Sequence, residues 1–130
     1  MILLDTDTCI EILRGNQSVI NKRIATGERT AISFMTVGEL YYGAEKSISS
    51  DKNKRLVAEF VLSVDVIDTD NPIMQKFGEI KAQLALKSTP LADADILIAA
   101  TSLICCKKLI TGNIRHFEKI DELVIENWIR

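Results

Sequence analysis

Four oxygen-bearing side chains stand where distant parts of the chain could bring them together: Asp5, Glu39, Asp95 and Asn113. Asp5 ends the apolar run Ile2-Leu3-Leu4. Glu39 follows Thr30-Ala31-Ile32-Ser33-Phe34, in the first turn of the helix expected there. Asp95 opens Ile96-Leu97-Ile98-Ala99-Ala100, and Asn113 follows Lys108-Leu109-Ile110-Thr111. Two carboxylates about 5 Å apart repel by roughly 3 kcal/mol at an effective dielectric of 20, so three in one crevice require protons or a divalent cation. Hard oxygen donors of this kind suit Mg²⁺ or Mn²⁺. Such an ion makes bound water a nucleophile at neutral pH and neutralises charge building on a phosphodiester, with no need for paired histidines. The chain has one histidine.

The elements that must position these groups are legible in the apolar periodicity. Ile2-Leu3-Leu4 reads as a buried strand delivering Asp5-Thr6-Asp7 at its carboxyl end. A helix follows, with Thr8-Cys9-Ile10-Glu11 at capping-box spacing and Arg14-Gly15-Asn16 as its stop, then a second helix over 18–25. Strand 30–34 leads to a helix from Thr36 with Val37, Leu40, Tyr41 and Ala44 on one face, helix 51–62 and strand 64–68. Asp70-Asn71-Pro72 marks a helix start with Asp70 as cap, and Ile73, Phe77, Ile80 and Leu84 form its apolar stripe up to the break at Ser88-Thr89-Pro90. Segment 92–106 is apolar nearly all round and reads as a buried helix, with further strands at 108–111 and 123–125. Strands alternating with helices, none joined by a tight turn, imply an α/β fold with a parallel sheet covered on both faces. Ligands of such sheets lie beyond the carboxyl ends of the strands, where the candidate acids fall.

The chain's 130 residues, with no composition shift or linker, imply one domain over 1–130. Its longest apolar stretch is far short of the roughly 18 residues of a membrane span, and the amino end lacks a signal-peptide pattern, so a cytoplasmic protein is expected. Cys9, Cys105 and Cys106 have neither disulfide-framework nor zinc-site spacing and read as free thiols. A net charge of −2 excludes bulk electrostatic coating of nucleic acid and leaves only local contact.

Leu4-Asp5-Thr6-Asp7, Thr36-Val37-Gly38-Glu39-Leu40, Pro90-Leu91-Ala92-Asp93-Ala94-Asp95-Ile96-Leu97-Ile98-Ala99-Ala100 and Thr111-Gly112-Asn113-Ile114-Arg115-His116-Phe117 resemble, in order and separation, the motifs of VapC-type PIN domains. The resemblance spans nearly the whole chain. It implies a three-layer α/β/α domain with a central parallel sheet, dimeric, that cleaves RNA, tRNA among the candidates, with Mg²⁺ or Mn²⁺. It further implies silencing by a cognate VapB-like antitoxin, DNA being reached only through that partner. Asp5, Glu39 and Asp95 match the metal-binding acids. Asn113 matches the fourth site, where many of these domains carry aspartate, and its amide brings an oxygen without a charge.

Other assignments compete with these. Glu39 stands three after Thr36, a capping-box spacing that explains it equally well without catalysis. Asp93 and Asp95 both open a helix, where carboxylates favour the dipole; Asp93 is assigned to the cap, with an outer-shell role as the alternative, and Asp95 to the metal. Asp7 is a helix cap or an outer-shell acid, and Thr111 either orients a ligand or makes ordinary strand-end hydrogen bonds. Arg115 and His116 either touch phosphate or belong to a solvated loop. Tyr41 and Tyr42 are expected in core or dimer packing. Leu3-Leu4-Asp5-Thr6-Asp7 also resembles the D-x-D strand of haloacid-dehalogenase phosphatases, in which Asp5 would be a covalent nucleophile and Asp7 the acid/base. Against that stand Cys9, where that family prefers threonine or valine, the short chain, and the lack of a later lysine motif.

Overall fold

The computed structural model describes residues 1–130. Its order is β1 (Ile2–Leu4), α1 (Thr6–Leu13), α2 (Gln17–Ala25), β2 (Thr30–Ser33), α3 (Phe34–Glu45), α4 (Ser50–Leu62), β3 (Asp65–Ile67), α5 (Asn71–Leu86), α6 (Asp93–Cys105), β4 (Leu109–Ile110), α7 (Ile114–Phe117) and β5 (Ile125–Glu126). The five strands form one sheet in the order β3-β2-β1-β4-β5, every neighbouring pair parallel. The chain winds outward from β1 through β2 to β3, then crosses back to lay β4 on the other side of β1. The strand order therefore reverses between β1 and β4, which locates the ligand crevice expected of an open parallel sheet beside the carboxyl ends of those two strands.

Alternation along the strands divides the interior into two layers. Leu3, Ala31 and Leu109 face a core completed by Ile73, Ile80 and Leu84 of α5, several residues of α6, and Phe117. Ile2, Leu4, Ile32 and Ile110 face the opposite core with Cys9, Val19, Leu40, Val57 and Phe60. Successive strand side chains point to opposite faces, so runs apolar at every position are what a sheet covered on both sides requires. The expected α/β/α architecture is present, and α6 is the buried helix anticipated from composition, with Ile96, Ile98, Ala99, Ala100, Thr101 and Ser102 all inside. No helix is long and apolar enough to cross a membrane.

Several boundaries differ from the sequence expectation because side chains at strand ends take over the caps. Helix α1 is capped by Asp5, whose carboxylate accepts the Thr6 N–H, so the Thr8/Glu11 spacing is not a capping box. The Thr8 hydroxyl instead donates to the Ile110 carbonyl at 3.1 Å. Helix α3 begins at Phe34, two residues earlier than expected, because Ser33 accepts the Met35 N–H. Asp70 caps α5 as expected, accepting from Ile73 N–H at 3.0 Å with proline in the first turn. Phe77 is half-buried at the edge of the stripe otherwise formed by Ile73, Ile80 and Leu84. The three cysteines are free, Cys9 buried and Cys105 and Cys106 half-buried.

Candidate active site

The residue immediately beyond each of the paired strands β1 and β4 starts the site. Asp5, immediately beyond β1, is 5 % exposed. Its Oδ1 accepts the Thr6 N–H at 2.8 Å, and its Oδ2 accepts the hydroxyl proton of Thr111, the residue after β4, at 2.7 Å. The same Thr111 oxygen accepts the Asn113 N–H at 3.0 Å. Thr111 thus links the two strand ends across the point of order reversal by two hydrogen bonds. Asp7, in the first turn of α1, accepts the Gly112 N–H at 2.9 Å. A Cβ on Gly112 would fall 3.0 Å from that carboxylate and 2.8 Å from Ile129 Cδ1, so close approach of the backbone explains the glycine.

Burial is costly for Asp5. Loss of water, reinforced by the negative charge of Asp7 and more weakly of Asp95, pushes its carboxyl from the ordinary 3.8 up to about 7, against the opposing hydrogen bonds from Thr111 and Thr6. No lysine or arginine forms an ion pair with Asp5, Asp7 or Glu39. An acid held under its neighbours' charge with no cationic side chain to answer it is chemically matched to a cation from outside the chain.

Glu39 lies in the second turn of α3, since the helix begins at Phe34. The Thr36/Glu39 capping box is therefore excluded, because Thr36 is inside the helix and Ser33 caps it. Glu39 Oε1 accepts from the Thr6 hydroxyl at 2.7 Å, and that hydroxyl lies 3.1 Å from the Thr36 hydroxyl. Glu39 and Asp5 are joined through a single residue, Thr6, whose backbone serves one acid and whose side chain serves the other. Asp95, in the first turn of α6, is 24 % exposed, with Oδ2 at 3.6 Å from Nδ1 of His116. Asn113 precedes α7, its amide nitrogen 2.9 Å from the same imidazole nitrogen.

Asp5, Asp7, Asp95, Thr111 and Asn113 are thus linked around the ends of β1 and β4, and Glu39 joins them through Thr6. The side chains as they stand do not close a ready-made cage, since no three Asp, Glu, His or Cys groups converge as a cation shell. Their chemistry nonetheless fits Mg²⁺ or Mn²⁺: carboxylate and amide oxygens, with no thiolate or paired imidazole that would favour a softer metal. Asp93 departs from expectation. It is exposed, makes no capping bond, and pairs with Lys81 of α5 at 2.9 Å, because Ala92 occupies the N-cap position. Arg115 is exposed on α7 and forms no ion pair within the chain. Tyr42 is 67 % exposed beneath the ammonium of Lys46, and Tyr41 is at the surface as well, so neither belongs to the core.

Thr6 and Thr36 carry a role that sequence reading missed. Each follows a strand end by only a few residues. Once β1 and β2 are adjacent and parallel, with Ile2 opposite Thr30, these positions come together. The available signal was a hydroxyl residue two positions beyond one strand and another three positions beyond the next, and it acquires meaning only when the strands are known to be neighbours.

Beside Thr6 and Glu39 opens a groove of about 580 Å³ between α1, α3 and α4. Ile10, Leu13, Leu40, Leu56 and Val57 make it largely apolar, and Arg14 and Lys46 also line it.

Comparison with known proteins places this geometry. Residues 2–123 match the PIN domain family. The chain is 36 % identical over 127 residues, covering 97 % of itself and 96 % of the other protein, to the tRNA(fMet)-specific endonuclease VapC of Salmonella typhimurium. It is 32 % identical over 128 residues to ribonuclease VapC2 of Haemophilus influenzae, covering 98 % and 97 % of the two chains. Among solved structures it superimposes on the crystal structure of DNA-bound VapBC from Salmonella typhimurium with a TM-score of 0.91 at 34 % identity, covering 98 % of this chain and 97 % of that one.

Proposed function

The chain belongs to the PIN-domain family, among the VapC ribonucleases, and from that premise we propose that it is a metal-dependent endoribonuclease toxin of a toxin–antitoxin pair. The observation that carries the reading is Asp5: a carboxylate buried at the topological switch of the sheet, under the charge of Asp7 and Asp95, with no cationic side chain to neutralise it. Asp5, Glu39 and Asp95 would hold Mg²⁺ or Mn²⁺, with Asn113 as an uncharged fourth donor. When bound, the ion supplies an activated water and neutralises the charge that develops on the scissile phosphate.

The chain's own residues supply the positioning. Thr111 holds Asp5 by its outer oxygen, and Thr6 holds both Asp5 and Glu39, so the acid at the end of β1 and the acid in α3 keep a set relation. Asp7 secures the Gly112 backbone and with it the approach of β4 to α1. Arg115, an unpaired guanidinium two residues beyond Asn113, is placed to meet a phosphate of the RNA. The net charge of −2 restricts RNA binding to such local contacts. Hydrolysis by this route leaves 5′-phosphate and 3′-hydroxyl ends.

The relative named for tRNA(fMet) makes tRNA the first substrate class to examine, in the cytoplasm where it is used. The structural relatives include a complex with an antitoxin, and the apolar groove beside Glu39 suits the amphipathic segment of such a partner, which would lie against Leu13, Leu56 and Val57 and reach the acids. Silencing by occupation of this groove, and a homodimer as the active species, complete the proposal.

The test is incubation of purified, antitoxin-free protein with total RNA and with a tRNA fraction in Mg²⁺ or Mn²⁺, with EDTA and Asp5→Ala controls, and mapping of the new ends. Discrete cuts carrying 5′-phosphates that vanish in both controls are expected. Cyclic-phosphate ends, or cuts that persist in EDTA, would refute the metal route.

A further inference from the structure

Asn113 occupies the position before α7 where an asparagine ordinarily accepts a hydrogen bond from a backbone N–H two or three residues ahead. Here the side chain makes no such bond. The N–H groups of His116 and Phe117 go instead to the Asn113 main-chain carbonyl, at 3.2 and 3.3 Å. The side-chain amide nitrogen stands 2.9 Å from His116 Nδ1. An amide nitrogen only donates, so in this contact Nδ1 is the acceptor. The other end of the amide, Oδ1, has no hydrogen-bond donor from the chain. The residue is bracketed by the acids on both sides: its N–H bonds the Thr111 hydroxyl that holds Asp5, and the imidazole that holds its amide lies 3.6 Å from Asp95.

An asparagine at a cation site differs from an aspartate in one respect beyond charge. The two ends of a carboxylate are equivalent. The two ends of an amide are a donor atom and a pair of N–H groups that a cation repels, and rotation about the last side-chain bond exchanges them. An asparagine in this place needs something to hold its nitrogen, and the only histidine of the chain does so. We infer that His116 is a positioning residue, holding the Asn113 amide through Nδ1 so that Oδ1 is the end left free to serve the cation. This rests on the metal-binding role proposed above for the acids around Asn113. It explains why an uncharged residue can serve there: orientation by its neighbour replaces the symmetry of a carboxylate.

Mn²⁺ binding by calorimetry, on RNA-free protein at constant pH, tests this in five chains: wild type, His116→Ala, His116→Gln, Asn113→Asp, and Asn113→Asp combined with His116→Ala. Removing a partner that orients a metal ligand typically weakens metal binding by about 10-fold or more. His116→Ala is therefore expected to raise the Mn²⁺ Kd about 10-fold, and His116→Gln, whose amide oxygen can accept from Asn113, to recover most of that loss. In the Asn113→Asp background, where no amide needs holding, His116→Ala should change Kd by less than about twofold. An equal effect of His116→Ala in both backgrounds, no effect in the wild-type background, or failure of His116→Gln to recover binding would each overturn the inference. Failure of the wild type to bind Mn²⁺ would refute the metal site itself, and it is read before any variant is made. Melting curves in EDTA identify a variant that has lost its fold, and in that event the His116→Gln and Asn113→Asp comparisons decide.

Discussion

If Asp5 is a buried charge awaiting a cation, replacing it with asparagine should make the metal-free protein more stable while abolishing its chemistry. The side chain keeps its shape. Its Oδ1 can still accept the Thr6 N–H that caps α1, and its new amide group can turn toward the Thr111 hydroxyl, which has acceptor capacity. The gain follows from linkage. Asp5 titrates at about 7 in the folded protein against the ordinary 3.8, so between those values the folded state keeps a proton that the unfolded state has lost. Stability of the metal-free wild type is therefore unpenalised below about pH 4, falls as pH rises from about 4 to about 7, and stays level above. At 1.36 kcal/mol per unit, the full penalty is about 4 kcal/mol at pH 8 and about 2 kcal/mol at pH 5. With an unfolding entropy of ~2.1 cal/mol/K per residue over this chain, the pH 8 figure corresponds to a rise in Tm of ~15 °C. Thermal melts of wild type and Asp5→Asn in EDTA at pH 4, 5 and 8 measure the difference, in which titrating groups remote from Asp5 cancel. Added Mg²⁺ at about 100 times its Kd should then restore ~2.7 kcal/mol to the wild type and nothing to the variant. An Asp5→Asn protein melting at or below the wild type at pH 8 in EDTA would refute the reasoning, as would a gain that does not shrink toward pH 4.

Three further perturbations probe the surrounding structure. Thr111→Val removes the donor to Asp5 and the acceptor for Asn113 N–H; a loss of about 1–3 kcal/mol in denaturant unfolding is expected, larger at pH 8 than at pH 4.5 because the ionised Asp5 loses more. Gly112→Ala places a methyl 2.8 Å from Ile129 Cδ1 and 3.0 Å from Asp7 Oδ2; chemical denaturation should show a cost of about 1–2 kcal/mol, and RNA cleavage should fall with the displaced Asp7. Leu56→Asp puts a carboxylate on the half-exposed wall of the groove beside Glu39; cleavage should be retained while a titration with antitoxin shows inhibition weakened by at least ~10-fold, a burial penalty of more than about 1.4 kcal/mol.

What the sequence determined by itself is what depends on near neighbours. Ile2-Leu3-Leu4 followed by Asp5 announces a buried strand with an acid at its end, because consecutive apolar residues suit a strand covered on both faces. Asp70-Asn71-Pro72 announces a helix start by cap chemistry alone, and the apolar girth of 92–106 announces burial. Asp5, Asp95 and Thr111 could be singled out in this way, and their order along the chain carried the family resemblance.

The tertiary structure decided what depends on which strands are neighbours. The crossover that lays β4 beside β1 brings Thr111 to Asp5 across more than a hundred residues, and the pairing of β1 with β2 brings Thr6 to Glu39. It also corrected local readings that had competing solutions: Ser33 rather than Thr36 starts α3, Asp5 rather than Thr8 caps α1, and Lys81 draws Asp93 away from the helix end. Each of these competitors satisfies the local rule about equally well. In each case the residue that gave up the cap meets a group distant in sequence, Thr36 at Thr6, Thr8 at Ile110 and Asp93 at Lys81, and only folding brings that partner within a hydrogen bond's length.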